Sequence, residues 1–552
     1  MGLAGLFNSL YAMLALQISR VKQLLRSSLP GINRMSTVLD EAVLEDRPEV
    51  DLSVLAASLR LEPKGPTVLS FDVGTSGIRA ALFDGRGEQI EDLIYSPSGD
   101  IFTELVGGLD ADANGLLALV GNSLNHALMR LPMLVSRVDY VAGSCFWHSL
   151  LGVDDEGNAV TPVFGWAERR AANEVLELRA KFDEREVHAR TGCRFHPSYW
   201  PAKLLWLKKE RAELFRKARR WLSFSDYFSL KLFGAATTSV SMASATGLLN
   251  QKKCAWDREL LTELGLSVEQ LPPIAGRGEA LVFQSDAPAS RWPALEGAAW
   301  FPAIGDGAAN NIGAGCVGAN RAALMIGTSG AMRVILNASP PDTMPPELFC
   351  YRADRDRIVV GGALSDGGGL YQWMKQTLFG LYDEMEIERS LASLEPDSHG
   401  LTVLPFWFGE RSTGWSTSAQ GSVLGLTART KPVEILRAAM EAVCYRFALL
   451  ATALGSATPI SEIVGTGNAL LSSPLWAQMI ADVLGRRIEV STISEASCRG
   501  AALLALEAIG KIDSIETMDS PTDLVYEPDM TRHAIYARAI ERQQNLYEKL
   551  IK

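Results

Sequence analysis

The tetrapeptide Gly-Thr-Ser-Gly occurs twice, at Gly74 to Gly77 and at Gly327 to Gly330, each time between two apolar stretches (TVLSFDV and IRAALF; AALMI and AMRVIL). Such a turn aims successive backbone N–H groups and two hydroxyls into one concavity, which holds a phosphate without a full opposing charge. One copy taken alone is equally an ordinary hairpin turn. The first copy has company: Asp72 precedes it at a strand end, where a carboxylate can hold Mg²⁺ through water, and Arg79 follows as a phosphate partner. Two copies facing each other would clamp a polyphosphate, with Gly74, Thr75, Ser76 and Arg79 on one side and Gly327, Thr328 and Ser329 on the other.

These turns need strands to carry them. VLSFDVGTSGIRAALFDGRGEQIEDL reads as a β-meander, strand, small-residue turn, strand, then the turn at Asp84 to Gly87 and a third strand. Recurrence of the motif about half a chain later predicts two related domains. Further on, EIVGTGNALLSSPLWAQMIADVLG passes from an apolar strand through a glycine turn into a helix with Trp476, Met479, Ile480 and Val483 at helical spacing, a unit that lets a flat purine approach backbone. At 552 residues the chain has room for two to four domains of roughly 150 residues. A net charge of −11 argues against a nucleic-acid surface. Seven scattered cysteines and six scattered histidines, with no C-x-x-C pair, fit a reducing, cytoplasmic setting and argue against structural zinc or disulfides.

Five ordered motifs together resemble the FGGY family of carbohydrate kinases, within the actin-like ATPase superfamily, over about Thr67 to Tyr547. They are FDVGTSGIRAALFD, PAKLLWLKKE (Pro201 to Glu210), ALMIGTSGAMRVIL, LPFWFGERSTGW (Leu404 to Trp415) and IVGTGNALLSSPLWAQMIADVLGRRIEV (Ile463 to Val490). The resemblance implies an α/β fold of two RNase-H-like domains around a central cleft, with ATP on the second and sugar mostly on the first. Expected divisions are an N-terminal extension at 1–64, a first domain at 65–302, a second at 303–520 and an amphipathic C-terminal helix at 521–552 that packs back through Ile535, Ala539, Leu546 and Leu550. The stretch Pro272 to Pro302, rich in Pro, Gly and Ala, is the expected path between the halves. By resemblance Gly368 and Gln372 line the nucleotide site, though each glycine of that run is also ordinary turn punctuation. Where the family commonly has two glycines in the adenosine turn, this chain has Gly467 and Asn468; Asn tolerates positive φ, so the turn survives.

In FPAIGDGAANNIGAG, Asp306 lies between two glycines before a small-residue helix beginning near Ala308, a place where an aspartate can be a simple N-cap. In the family the aspartate of this motif is the catalytic base. Gluconokinase-like members have Met-His-Ser-Leu followed by Trp-Ala-Asp-x-Arg. Here Trp147 stands for the Met and Glu168 for the Asp, so Trp147, His148, Trp166, Glu168 and Arg170, with Asp306, become the acceptor set. A lone histidine is more often a core or surface residue; its company gives it a polyol site. Arg170, with Lys203 as second choice, would meet a carboxylate and favour an aldonate.

The expected activity is therefore Mg·ATP-dependent phosphorylation of a hydroxyl on a small sugar or sugar acid, with gluconate first and a xylulose- or ribulose-type pentulose second. An actin-like ATPase without sugar chemistry and a catalytically silent relative are further alternatives; Asp306 and Asp72, which a silent relative should lack, argue for the kinase. No nucleic-acid partner is expected, and a homodimer is compatible with the sequence. The uncharged run from Met1 to Ser19 raises the question of a membrane anchor, but Asn8, Ser9 and Gln17 interrupt it and no basic region precedes it. An amphipathic helix, or an over-extended start with Met35 as alternative, is the preferred reading.

Overall fold

The computed structural model describes residues 64–552 apart from Ser76 and the short segments 96–102, 106–107, 130, 132–134, 136, 277, 283–291, 381–382 and 519–520. The extension expected at 1–64, with its membrane and start-site questions, lies almost wholly outside the described residues, as does Ser76.

Two seven-stranded sheets organise the rest. The first contains β1 (Val68–Val73), β2 (Ile78–Phe83), β3 (Gln89–Tyr95), β4 (Tyr140–Cys145), β5 (Leu281–Val282), β6 (Ala299–Trp300) and β7 (Ile304–Gly305). Its order is β5-β6-β4-β1-β2-β3, with β7 also pairing to β4. The second contains β8 (Arg321–Ile326), β9 (Gly330–Asn337), β10 (Phe349–Arg352), β11 (Arg357–Leu364), β12 (Glu462–Thr466), β13 (Ile488–Ser491) and β14 (Thr522–Tyr526), in the order β10-β11-β9-β8-β12-β13-β14. In each sheet the strand before a Gly-Thr-Ser-Gly turn pairs antiparallel with the one after it and parallel with a later strand, β4 or β12. The repeated tetrapeptide is thus the visible remnant of a repeated topology. β1 and β11 are buried along their whole length, so even the polar members of β1, Ser70 and Asp72, face the interior and not solvent.

Six helices matter for the site: α1 (Asp306–Gly313), α2 (Gly368–Phe379), α3 (Pro432–Ala457), α4 (Pro474–Leu484), α5 (Ala496–Ala508) and α6 (Met530–Leu550). Among the described residues α3 alone is long and apolar enough to cross a membrane, and 67% of its apolar window is buried inside the protein. α5 follows β13 in sequence yet packs across β1, β2 and β4 of the first sheet. It crosses α1 backbone to backbone. A Cβ on Gly313 would fall 1.7 Å from the Ala496 carbonyl oxygen, and one on Gly500 would fall 1.9 Å from that of Ala309. Arg499 Nη1 donates to the Gly313 carbonyl at 2.7 Å, and Ser70 Oγ to that of Cys498 at 2.7 Å, which ties the crossing to the first sheet.

Two local expectations need correction. The stretch Pro272 to Pro302 is not merely a connection, because β5 and β6 within it extend the first sheet, with Ala299 and Trp300 pairing Tyr140 and Val141. In α6 Ala539 is buried and Leu546 packs in part, as expected, but Tyr536, Gln543 and Tyr547 carry the rest of the packed face and Leu550 is exposed.

Candidate active site

Three parallel strand ends build the floor of the cleft. β1 delivers Asp72, β4 delivers Ser144 beside it, and β7 pairs Ile304 to that same Ser144 before the chain turns into α1 at Asp306. Carboxyl ends of adjacent parallel strands are where an α/β sheet leaves room for ligand. Ser144 Oγ donates to Asp72 Oδ1 at 2.5 Å, and Arg79 reaches Asp72 at 3.9 Å and Glu495 at 3.7 Å. Burial raises the Asp72 carboxyl to about 6; Ser144 opposes this, the nearby Asp306 adds to it, and Arg79 opposes it. The Asp72 carboxylate is an oxygen donor of the kind that a hard divalent cation takes.

Asp306 is the first residue of α1 and not its N-cap, a place taken by Gly305. Its Oδ1 accepts the Gly307 N–H at 2.8 Å. Burial raises its carboxyl above the ordinary 3.8, against lowering by Arg333, the Gly307 and Trp147 N–H groups and Arg411. An acid held up in this way is closer to what a general base requires than a surface aspartate is.

With Ser76 outside the described residues, the other phosphate, nucleotide and metal candidates line one cleft of about 1120 Å³. Asp72, Gly74, Thr75 and Arg79 come from the first half, Gly327, Thr328, Ser329, Gly368, Gln372, Gly467 and Asn468 from the second, and Asp306 lies between them. The second phosphate turn is braced from below: the Gly368 N–H donates to the Gly327 carbonyl at 2.7 Å and the Gly369 N–H to that of Thr328 at 2.9 Å. The Gly368 N–H is therefore spent on the loop. The adenosine turn puts its positive φ on Gly467 (+88°), while Asn468 opens the short helix Asn468–Leu471. Asparagine at the second position thus requires no left-handed backbone.

The acceptor candidates separate into two groups. Trp147 lies next to Asp306, towards which its backbone N–H is turned, and His148 follows it in the chain; neither is among the residues that line the cleft. The Trp147 indole donates to the Ser241 carbonyl at 3.1 Å and lies so close to the chain that a Cβ on Gly305 would fall 1.8 Å from it. His148 holds a left-handed backbone (φ +70°), unusual for a residue with a side chain. Its Nδ1 faces the Ala245 carbonyl at 2.7 Å, which can only accept, so Nδ1 carries the proton and Nε2 remains an acceptor. Burial holds its pKa well below 6.5, and the imidazole is neutral.

Glu168 and Arg170 depart from expectation. The Arg170 guanidinium is occupied by Asp110 at 2.5 and 3.0 Å and by Glu168 at 2.5 and 2.9 Å, over the Trp206 ring. With its charge matched twice it has none left for a ligand carboxylate, and Glu168 is buried as its partner. Lys203 is no substitute, since its Nζ donates to the carbonyls of His148 and Gly165, both at 2.7 Å. Trp166 is half-buried beneath Arg411, whose guanidinium lies 4.5 Å from the ring centroid.

Several residues around Asp306 carried no assigned role. Tyr199 and Tyr351 join through their hydroxyls at 2.5 Å, and Tyr351 packs edge-on against Trp147 with centroids 5.1 Å apart. Arg333 and Arg411 are the cations that act on Asp306. The sequence carried one signal for the first of them: an arginine in the middle of GAMRVILN, a strand otherwise apolar and buried.

Comparison with known proteins agrees with this architecture. Residues 67–313 match the N-terminal domain of the FGGY family of carbohydrate kinases, and residues 322–509 match its C-terminal domain. A gluconokinase of Bacillus subtilis (strain 168) is 28% identical over 480 residues, covering 83% of this chain and 91% of that protein. A xylulose kinase of Escherichia coli (strain K12) is 28% identical over 500 residues, covering 88% and 99%. The crystal structure of gluconate kinase from Lactobacillus acidophilus superposes with a TM-score of 0.79 at 26% identity, covering 88% of this chain and 99% of that one.

Proposed function

Since the chain belongs to the FGGY family of carbohydrate kinases, we propose that it moves the terminal phosphoryl group of ATP to a hydroxyl of a gluconate-like aldonate. The observation that carries this reading is the position of Asp306, half-buried just past the end of β7 in a cleft that has a Gly-Thr-Ser-Gly turn on each side. The two turns and the glycine loop at Gly467 hold the nucleotide; Asp306 takes the proton of the attacking hydroxyl. Neutral His148, through Nε2, and the Tyr199–Tyr351 pair orient the sugar hydroxyls beside the Trp147 face. Mg²⁺ would be held by Asp72, directly or through water, and when bound it neutralises phosphate charge.

An acid acceptor is supported by the gluconokinase relatives and by the unmatched positive charge at the inner end of the cleft. The xylulose kinase relatives favour a pentulose as the second reading. A coupled ADP-release assay over aldonates, pentuloses and neutral polyols separates the two. The first reading requires an aldonate to give the highest kcat/KM; a pentulose in that place overturns it in favour of the second.

A further inference from the structure

Arg333 is a buried cation with almost nothing to neutralise it. It sits at the middle of β9 with 7% of its surface exposed, and its Nε and Nη1 atoms have no hydrogen-bond partner. A bare guanidinium nitrogen in such a place is costly, so native proteins almost always pair it. The protein also makes room for this side chain on purpose. A Cβ on Gly361 would fall 2.9 Å from the Arg333 Cγ, and one on Gly307 would fall 2.8 Å from its Cζ. Two glycines on two different elements therefore form a slot, and the Trp147 ring, 6.0 Å from the guanidinium, closes it. The slot opens into the cleft beside Asp306.

A second arginine deepens the deficit. Arg411, also buried, has Nη2 on the Leu364 carbonyl at 2.9 Å and Nε without a partner. The two cations act on each other and share one nearby carboxylate, Asp306, as their common counter-charge. Asp366 also faces Arg411, but burial raises its carboxyl well above the ordinary range and so favours the neutral acid. The inner wall of the cleft thus carries more buried positive than negative charge, and a bound anion would complete it.

We propose that Arg333, backed by Arg411, is the subsite that receives the carboxylate of the acceptor and makes the enzyme prefer an aldonate to the matching neutral polyol. The inference rests on the aldonate reading above and supplies the residue that sequence reasoning had sought in Arg170. An arginine fork fits a carboxylate in two hydrogen bonds, and a neutral polyol would leave the same guanidinium buried and unpaired. One side chain therefore both attracts the acid and rejects its neutral analogue.

The test uses gluconate and glucitol, which share a carbon chain and differ in one terminal group, each measured as substrate and as competitive inhibitor. Wild type should bind gluconate more tightly than glucitol; if it does not, the aldonate reading itself fails before any variant is made. With wild type behaving as expected, Arg333→Met should weaken gluconate by roughly 10- to 10²-fold, the range for a lost hydrogen bond to a charged group. Glucitol affinity should stay constant or improve. Arg333→Lys keeps the buried charge and so guards against an unfolded Met variant; losing the planar fork should still weaken gluconate several-fold and spare glucitol. If either folded variant lowers kcat equally for both acceptors with no split in KM, Arg333 serves the transferring phosphoryl group and the proposal is overturned. Unchanged constants for gluconate overturn it equally.

Discussion

Asp306→Asn is the substitution that most directly tests the chemistry, because the structure separates its catalytic cost from its structural cost. General-base assistance is worth about 10² to 10⁴ in rate, or roughly 3 to 5 kcal/mol of barrier at ~1.4 kcal/mol per decade. The structural cost is small. Gly305, not Asp306, caps α1, and an asparagine oxygen can accept the same Gly307 N–H that Asp306 accepts at 2.8 Å. Loss of a negative charge at the helix start costs about 0.3 to 1 kcal/mol. Part of that is returned, because burial already disfavours the ionised carboxylate. The melting temperature should therefore move by only a few degrees, at about 2 to 4 °C per kcal/mol for domains of this size. On the proposed reading the two turns and the Gly467 loop hold the nucleotide, so its affinity should not change. Steady-state ADP release, calorimetric nucleotide binding and a thermal melt on one preparation give the three numbers. A folded, nucleotide-bound variant turning over at the wild-type rate would refute the assignment of Asp306 as base.

Three further outcomes follow from the same geometry. Arg170→Leu should destabilise the protein by about 3 kcal/mol, since it strands the buried Glu168 carboxylate; the gluconate-to-glucitol affinity ratio of the folded fraction should not change, and a changed ratio would return Arg170 to the acceptor site. A base must be deprotonated, so kcat/KM should fall as pH drops through the raised Asp306 pKa. Arg333 is its foremost lowering influence, so Arg333→Gln should shift that acid limb to higher pH, measured with a neutral acceptor. His188 and His196 are buried with pKa values of about 4 and 3 against an ordinary 6.5. Above 6.5 they do not affect stability; below it the unfolded chain takes up protons that the folded one refuses, so stability is lost as pH falls from 6.5 toward those values. Each contributes about 1.4 kcal/mol per pH unit in that window, and His188→Gln should flatten the slope of denaturation midpoint against pH by one such share.

Local sequence carried the elements whose signals are local. Apolar runs interrupted by small-residue turns marked the β-meander, and the spacing of Trp476, Met479, Ile480 and Val483 marked the buried face of α4. What could not be read was partnership. Arg170 looked available because its two carboxylates are invisible as partners: Glu168 stood nearby as a ligand candidate, and Asp110 is sixty residues upstream. Arg333 is not legible as a site residue because its surroundings, Trp147, Gly307, Gly361 and the single carboxylate Asp306, come from separate segments that only the fold assembles. The resemblance supplied a motif for the acceptor region but not the fact that its arginine, Arg170, is spent on Asp110 and Glu168. Lys203 failed for the same reason, since its backbone acceptors, His148 and Gly165, belong to another segment.

The crossing of α1 and α5 has a mechanical meaning. Gly313 and Gly500 bring the two helix backbones into direct contact, so the pair resembles an axle with no bushing between shaft and sleeve. Asp306 is mounted at the near end of that axle, on α1 itself, whereas the Gly327 turn and the Gly467 loop lie out along the second sheet. Asp306 therefore answers to the crossing itself, while the Gly327 turn and the Gly467 loop answer to the ends of β8 and β12.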